Sequence, residues 1–529
     1  MLFTSYSFIF FLCILISLYY LIPKRLQWKF LLLGSFVFYF FSGWSNLLYI
    51  LVTIISTYFT GLKIDDLNRK QNAYLKENKG QITKEERKLY KEKIKAKQWK
   101  LLLICLIFNL GILAVVKYTN FAIANINSVL SMFRMTELSF VNLILPMGIS
   151  FYTFKTMGYI IDVYRGKYEP ERNIGKLALF VSFFPQLIQG PISRYDDLSK
   201  SLYQEHSFDS QTFSYGFQRV LWGYFKKLVV ADRIVAAVLT ITRNPDIYDG
   251  VYVFVGMVFY AIQLYADFTG GIDITIGVAQ MLGIEVKENF IRPYFSKSIV
   301  EYWRRWHITM GTWFRDYIFY PLSVCKPMLN LSKASRNRFG DKIGKRVPVY
   351  LATMMVWFTT GIWHGSSWNF IVWGLLNGVV ILISQELEPL YAKFHQKVKI
   401  GDTFGFRLFR VIRTFLLMSS LRILDCYRDV GISFKMFFTM FTKPDIRVLF
   451  DGSLLKLGLD ASDYVVLIIG VIVLLTFSLI QRKGSVREML SYNSAVLRYS
   501  IYIILFFSVL IFGAYGIGFD SNQFIYNQF

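Results

Sequence analysis

Among 529 residues there are four histidines, His206, His307, His364 and His395, and two of them sit where an imidazole could do chemistry. His206 and His395 fall in polar connecting segments and read as surface residues. His307 lies in Trp303-Arg304-Arg305-Trp306-His307-Ile308-Thr309, and His364 in Gly361-Ile362-Trp363-His364-Gly365-Ser366-Ser367-Trp368-Asn369-Phe370. An imidazole, with a reference pKa of about 6.5, is a good base near neutrality, and burial favours its neutral form. Such a ring suits removing a proton from a hydroxyl as that oxygen attacks a thioester carbonyl. The residues alone leave two other roles open: a hydrogen-bonded packing residue, or a station on a proton path. Two histidines 57 positions apart, with no Glu or Cys at ligand spacing, make no zinc or iron set. No phosphate-binding Walker loop, Gly-x-Ser-x-Gly elbow or Rossmann turn is present. Ser366 and Ser367 have no separate base assigned to them.

The elements that must position these rings are apolar and long. From Leu351 to Ser384 no side chain is charged apart from any proton on His364. As one helix this stretch would rise about 50 Å, against a hydrocarbon layer of about 30 Å. It must tilt strongly or break, and the Gly-Ser-Asn-bearing centre is the expected break. The whole chain is 54% hydrophobic and 18% aromatic, with a mean hydropathy of +0.41. Those values predict an all-α, polytopic transmembrane bundle rather than a string of soluble domains. The apolar runs are continuous rather than alternating, which argues against an outer-membrane barrel.

A net charge of +24 would suggest nucleic acid in a soluble protein, but the basic residues here cluster between apolar segments. Residues 63–100 hold thirteen Lys/Arg against six Asp/Glu, and 326–346 seven against one. The positive-inside rule makes both connections cytoplasmic, with affinity for anionic lipid heads and no role for nucleic acid. Cys13, Cys105, Cys325 and Cys426 are scattered and form neither a disulfide framework nor a metal site. The first apolar run, 5–22, lacks a basic leader and a cleavage site and reads as a retained span.

Ten to thirteen membrane segments are expected along the chain. Residues 82–99 read as a solvated helix, 101–121 as a separate span, and 177–192 as a re-entrant or oblique helix. The run 251–283 carries Asp267 and Asp273, which should be paired with cations if buried. Between Ser298 and Tyr320 a helical projection puts Trp303, Trp306, His307, Met310, Trp313, Phe314 and Tyr317 on one side. Arg305, Thr309, Thr312 and Asp316 fall on the other, with Arg304 and Arg315 alongside, which predicts a helix lying at the cytoplasmic boundary. Residues 386–404 read as a polar connection, followed by spans near 408–424, 464–480 and 501–517, and then by the aromatic ending 524–529.

Several blocks, in order, resemble the membrane-bound O-acyltransferase (MBOAT) family. They are Leu145-Pro146-Met147-Gly148, Asp162-Val163-Tyr164-Arg165-Gly166, Phe183-Phe184-Pro185-Gln186 and Gln189-Gly190-Pro191-Ile192. Asp267-Phe268-Thr269-Gly270 with Asp273, Glu288-Asn289-Phe290, Trp303 to Thr309, Trp313-Phe314-Arg315-Asp316-Tyr317, and the His364 block complete the set. The likeness spans about 145–378, the expected catalytic core, between the basic 63–100 connection and C-terminal helices at 406–529. Its spacing resembles the bacterial polysaccharide-acetylating branch. The 416–425 stretch and Gly271 depart from that branch's pattern.

The resemblance implies re-entrant and interfacial helices around a central funnel or tunnel, in a multi-pass protein of a bacterial cell membrane. It implies a catalytic His364, with His307 as a second functional histidine. An acyl thioester donor, acetyl-CoA in this branch, would pass its acyl group to an extracytoplasmic polysaccharide or to a relay partner protein. No bound cofactor or metal is implied. Candidate substrate contacts are Trp303, Arg304, Arg305, Arg315, Asp316, Trp363, Asn369 and Asp267. The arginines suit either donor phosphates or lipid anchoring, and Asp267 and Asp273 read chiefly as scaffold. Two competing expectations are D-alanyl transfer from a carrier-protein thioester to teichoic acid, and export of a polysaccharide or lipid with His364 on a proton path.

Overall fold

The computed structural model describes residues 2–398 and 403–515, so the aromatic ending at 524–529 lies outside the described residues. Helices and no strand occur among the described residues. The chain forms two compact units, one of residues 1–213 with 279–286, the other of 214–278 with 287–529.

The first unit begins with α1 (Tyr6–Leu21), α2 (Gln27–Phe40), α3 (Asn46–Glu77) and α4 (Lys84–Met132). α4 opens on a reciprocal cap: the Thr83 hydroxyl accepts from the Glu86 N–H, and the Glu86 carboxylate accepts from the Thr83 N–H. Its 49 residues make a rod of about 74 Å, which corrects the expectation of a solvated helix at 82–99 followed by a separate span. No Gly or Pro interrupts 84–110, so nothing in the sequence forces a boundary there.

α5 (Ile149–Arg165) starts at Gly148, whose φ of 70° is left-handed. A Cβ there would sit 2.3 Å from the Leu187 carbonyl oxygen, so only glycine fits. The expected oblique helix over 177–192 is two pieces, α6 (Ile174–Ser182) and α7 (Pro185–Ile188), before α8 (Tyr195–Leu202). Pro185 cannot supply the N–H that would carry α6 through. Lys155 of α5 is buried here, donating to the Gln186 side chain at 3.0 Å, which in turn donates to Ser193 at 2.7 Å.

The second unit takes in most of α9 (Ser210–Tyr224), then a wide π turn at Phe225–Ala231, α10 (Asp232–Arg243) and most of α11 (Val251–Met281). Widening the turn puts consecutive lysines, Lys226 and Lys227, both into the interior. Lys226 pairs with Asp273 at 2.5 Å, and Lys227 with Asp267 at 2.6 Å and Asp232 at 2.7 Å. α11 therefore crosses the unit unbroken with both of its carboxylates matched by cations.

The expected single helix at 298–320 is instead α12 (Ile299–Arg305) and α13 (Ile308–Phe314), separated by Trp306 and His307, with a π turn at Arg315–Phe319 and α14 (Tyr320–Ser323) beyond. The helical projection fails because His307 adopts a left-handed backbone, φ 47° and ψ 52°. Thr309, projected onto the polar side, is buried, whereas Arg304 and Arg315 are exposed as expected.

The basic 326–346 connection is helical, α15 (Lys326–Gly344). α16 (Val347–His364) and α17 (Trp368–Glu386) then form a tight hairpin, broken at Gly365–Ser367 as the 351–384 stretch requires. Cβ atoms at Gly361 and Gly374 would meet the Phe370 and Trp357 carbonyl oxygens at 2.6 and 2.4 Å, so the two backbones touch at glycine. The remaining helices are α18 (Glu388–Val398), inside the expected polar connection, α19 (Phe404–Leu421), α20 (Ile423–Tyr427), α21 (Val430–Thr442), α22 (Ala461–Ile480), α23 (Val486–Ser491) and α24 (Ala495–Phe512).

Among the described residues six helices, α3, α4, α11, α17, α22 and α24, are long and apolar enough to cross a membrane. That is fewer than the ten to thirteen segments expected, because several apolar stretches are divided into shorter helices.

Candidate active site

His364 ends α16, where its backbone turns extended at Gly365. Its ring is 6% exposed and lies between two indoles, with centroids 5.0 Å from Trp363 and 4.7 Å from Trp373. Trp363 also faces His307 at 5.9 Å, so one indole bridges both imidazoles.

His307 is 0% exposed and precedes α13. Asn289 holds this turn. Its amide lies 3.2–3.3 Å from His307 Nδ1, its Oδ1 accepts from the Thr309 N–H and hydroxyl, and its backbone carbonyl accepts from the Ile308 N–H. Phe268 meets the His307 ring edge-on at 5.0 Å, and Phe290 lies at 6.3 Å. A non-glycine left-handed residue costs about 1–2 kcal/mol, and the Asn289 bonds offset it.

A third group completes the cluster. Arg422, between α19 and α20, is buried with its guanidinium carbon 4.3 Å from the Trp373 ring centroid, 5.7 Å from Trp306 and 6.0 Å from Trp303. It donates to Asp425 at 2.6 Å, and both side chains are almost fully buried. The indole N–H groups of Trp303 and Trp373 and the Arg422 Nε have no hydrogen-bond partner among the described residues. A buried imidazole, a buried cation and unmet N–H donors therefore lie in one cluster of aromatic rings.

Of the residues expected from the sequence, His364, His307, Trp363 and Trp303 come together here. Asn369 does not reach the His364 ring in its recorded bonds: it accepts from the Ser367 hydroxyl at 2.6 Å and donates to the Leu424 carbonyl at 3.2 Å, tying α17 to α20. Arg304 is exposed, Arg305 pairs with Glu301 at 2.6 Å, and Arg315 pairs with its neighbour Asp316 at 2.9 Å. Asp267 is occupied by Lys227. The sequence reasoning missed Arg422, Asp425, Trp373 and the role of Asn289. An Arg and an Asp three positions apart at the end of an apolar run were the available signal for the first two. Among the described residues, no cluster of His, Cys, Asp and Glu could hold a metal ion.

Residues 172–336 match MBOAT, the membrane-bound O-acyltransferase family. A protein of Pseudomonas syringae pv. tomato named probable alginate O-acetylase AlgI is 32% identical over 450 residues, 84% of this chain and 76% of its own. The chain belongs to the membrane-bound O-acyltransferase family. It is an O-acyltransferase, and a multi-pass protein of a bacterial cell membrane. The peptidoglycan O-acetyltransferase of Helicobacter pylori is 28% identical over 391 residues, covering 69% of this chain and 66% of that one. The teichoic acid D-alanyltransferase of Bacillus subtilis is 28% identical over 261 residues, covering 48% and 62%.

Proposed function

We propose that this acyltransferase takes an acetyl group from cytoplasmic acetyl-CoA and delivers it to a hydroxyl of an extracytoplasmic polysaccharide, directly or through a relay partner protein. His364 is the general base. The observation that carries this reading is the buried imidazole set beside unmet N–H donors and a buried guanidinium. His364 removes the acceptor hydroxyl proton as that oxygen bonds to the acetyl carbonyl carbon. Negative charge then collects on the carbonyl oxygen, where indole N–H groups and the Arg422 charge stabilise it in a medium of low polarity. Collapse breaks the carbon–sulfur bond, and the imidazolium returns its proton to the departing thiolate. His307, held by Asn289, orients the cluster through the shared Trp363.

The relatives support acetyl over D-alanyl transfer. Those named as acetylating enzymes match 69–84% of this chain, whereas the D-alanyltransferase matches 48%. The second reading, D-alanyl transfer from a carrier-protein thioester, retains the support of that shorter match. The test is release of free CoA thiol from acetyl-CoA by the reconstituted protein with a polysaccharide acceptor, alongside the acetyl-ester content of the cell envelope. Acetyl-CoA consumption coupled to ester formation, lost in His364→Ala with membrane insertion intact, is the expected result. Activity that needs a D-alanyl carrier protein and ignores acetyl-CoA would overturn it.

A further inference from the structure

A separate cavity of about 300 Å³ opens among α9, α11 and the α22–α24 region, with a smaller adjoining lobe of about 70 Å³. Its walls are of two kinds. Trp222, Phe477, Ile501 and Leu505 make an apolar side. Arg219, Lys226, Arg292 and Arg487 make a cationic side, against only two lining carboxylates, Asp273 and Glu288.

Both carboxylates are already engaged. Arg219 spans them, at 2.9 Å to Asp273 and 2.6 Å to both oxygens of Glu288, and Lys226 also holds Asp273. Arg292 has no ion pair among the described residues, and its buried Nε makes no hydrogen bond. Its backbone is left-handed, φ 50°, at a cost in strain. Burial and the nearby charges of Arg305 and Arg482 push the Arg292 guanidinium below its ordinary pKa. Burial and Arg219 do the same to Arg487. Arg487 also donates to the Tyr215 carbonyl at 2.9 Å, and the four lining cations face two carboxylates, so positive charge exceeds negative around the hollow.

The position of the cavity identifies the kind of anion. α22 and α24 are candidate spans with only 22% and 6% of their apolar windows buried, so they face lipid. The cavity is lined by the end of α22, by Gly484 and Ser485 with α23, and by the middle of α24. It therefore lies at one membrane boundary. The connection 481–498 carries four Lys/Arg against one Glu, which marks the cytoplasmic leaflet, where anionic lipids concentrate.

We infer that this cavity binds the phosphate head of an anionic membrane phospholipid, with Arg292 and Arg487 on the phosphate and a chain against Trp222, Phe477 and Leu505. The site goes beyond acyl transfer and does not depend on it.

The test uses the full chain in nanodiscs of phosphatidylcholine mixed with phosphatidylglycerol, released into native mass spectrometry. Wild type is expected to retain phosphatidylglycerol in preference to phosphatidylcholine. Arg292→Gln and Arg487→Gln should each weaken that preference about fivefold, equivalent to about 1 kcal/mol per basic residue at an anionic surface. Leu505→Trp, which fills the cavity without touching a charge, should also abolish it while the protein stays folded by tryptophan emission and gel filtration. Equal retention of the two lipids by wild type, or unchanged preference in all three variants, overturns the inference. Displacement of the retained lipid by acetyl-CoA overturns it too, because the cavity would then belong to a phosphorylated donor.

Discussion

Of the two histidines that matter, one closes a helix and the other opens one. His364 ends α16 among aromatic faces, with a guanidinium stacked on the far indole. His307 starts α13 from a left-handed backbone, with Nδ1 against an asparagine that also grips the next two residues. The difference teaches how one aromatic cluster divides its labour. A ring whose nitrogen is committed to a side-chain amide sets geometry; a ring set between two indoles, with no such commitment to Asn289, is suited to handling a proton. On our proposal His364 reacts and His307 positions.

The largest expected effect is at the reacting ring. His364→Gln, close in size but no base, should lower acetyl transfer by about a hundredfold to ten-thousandfold, the contribution of a general base, with membrane insertion unchanged. A residual rate within a few-fold of wild type would erase the contrast between the two histidines. Next comes the buried pair. Arg422→Gln leaves Asp425 a buried lone carboxylate and should cost about 3–5 kcal/mol of stability. The double change Arg422→Gln with Asp425→Asn should recover much of that in thermal unfolding while transfer stays low, separating charge at the site from folding.

At His307 the comparison can be sharpened. His307→Asn tolerates a left-handed backbone, whereas His307→Leu adds strain of about 1–2 kcal/mol. The melting temperature should therefore drop more for Leu than for Asn, with both retaining more activity than His364→Gln. Asn289→Ala removes the bonds to Thr309 and should destabilise by about 1–3 kcal/mol, with an effect on transfer resembling that of the His307 variants. The smallest effect belongs to Arg304→Gln. This exposed side chain should move stability by no more than about 0.5 kcal/mol, and acetyl transfer measured at saturating donor should stay near wild type.

What was legible in the sequence follows from how local the cause was. The α16–α17 break was readable because an uncharged stretch too long for the bilayer held Gly365-Ser366-Ser367 at its centre. The pairing of Asp267 and Asp273 was readable because a carboxylate in an apolar run demands a cation. The 298–320 region was misread as one helix because its pattern is helical nearly throughout. The turn at His307 is imposed by Asn289, 18 positions earlier, and no periodicity reports a distant side chain. Arg422 escaped for the same reason: its neighbours Trp303, Trp306 and Trp373 come from α12, the turn after it and α17. The merging of 82–99 with the following span was missed because a change from charged to apolar residues looks like a boundary, though the backbone has no cause to stop there.

The wide turn at Phe225–Ala231 carries one consequence for variation in length. Taking out a single residue there would restore ordinary winding and rotate everything after it by about 100° around its axis. Arg233 would swing away from Asp463 and from the Phe512 carbonyl, to both of which it donates. A one-codon deletion in mid-chain would thus unfasten two helices that begin more than two hundred positions later, with every residue of those helices intact.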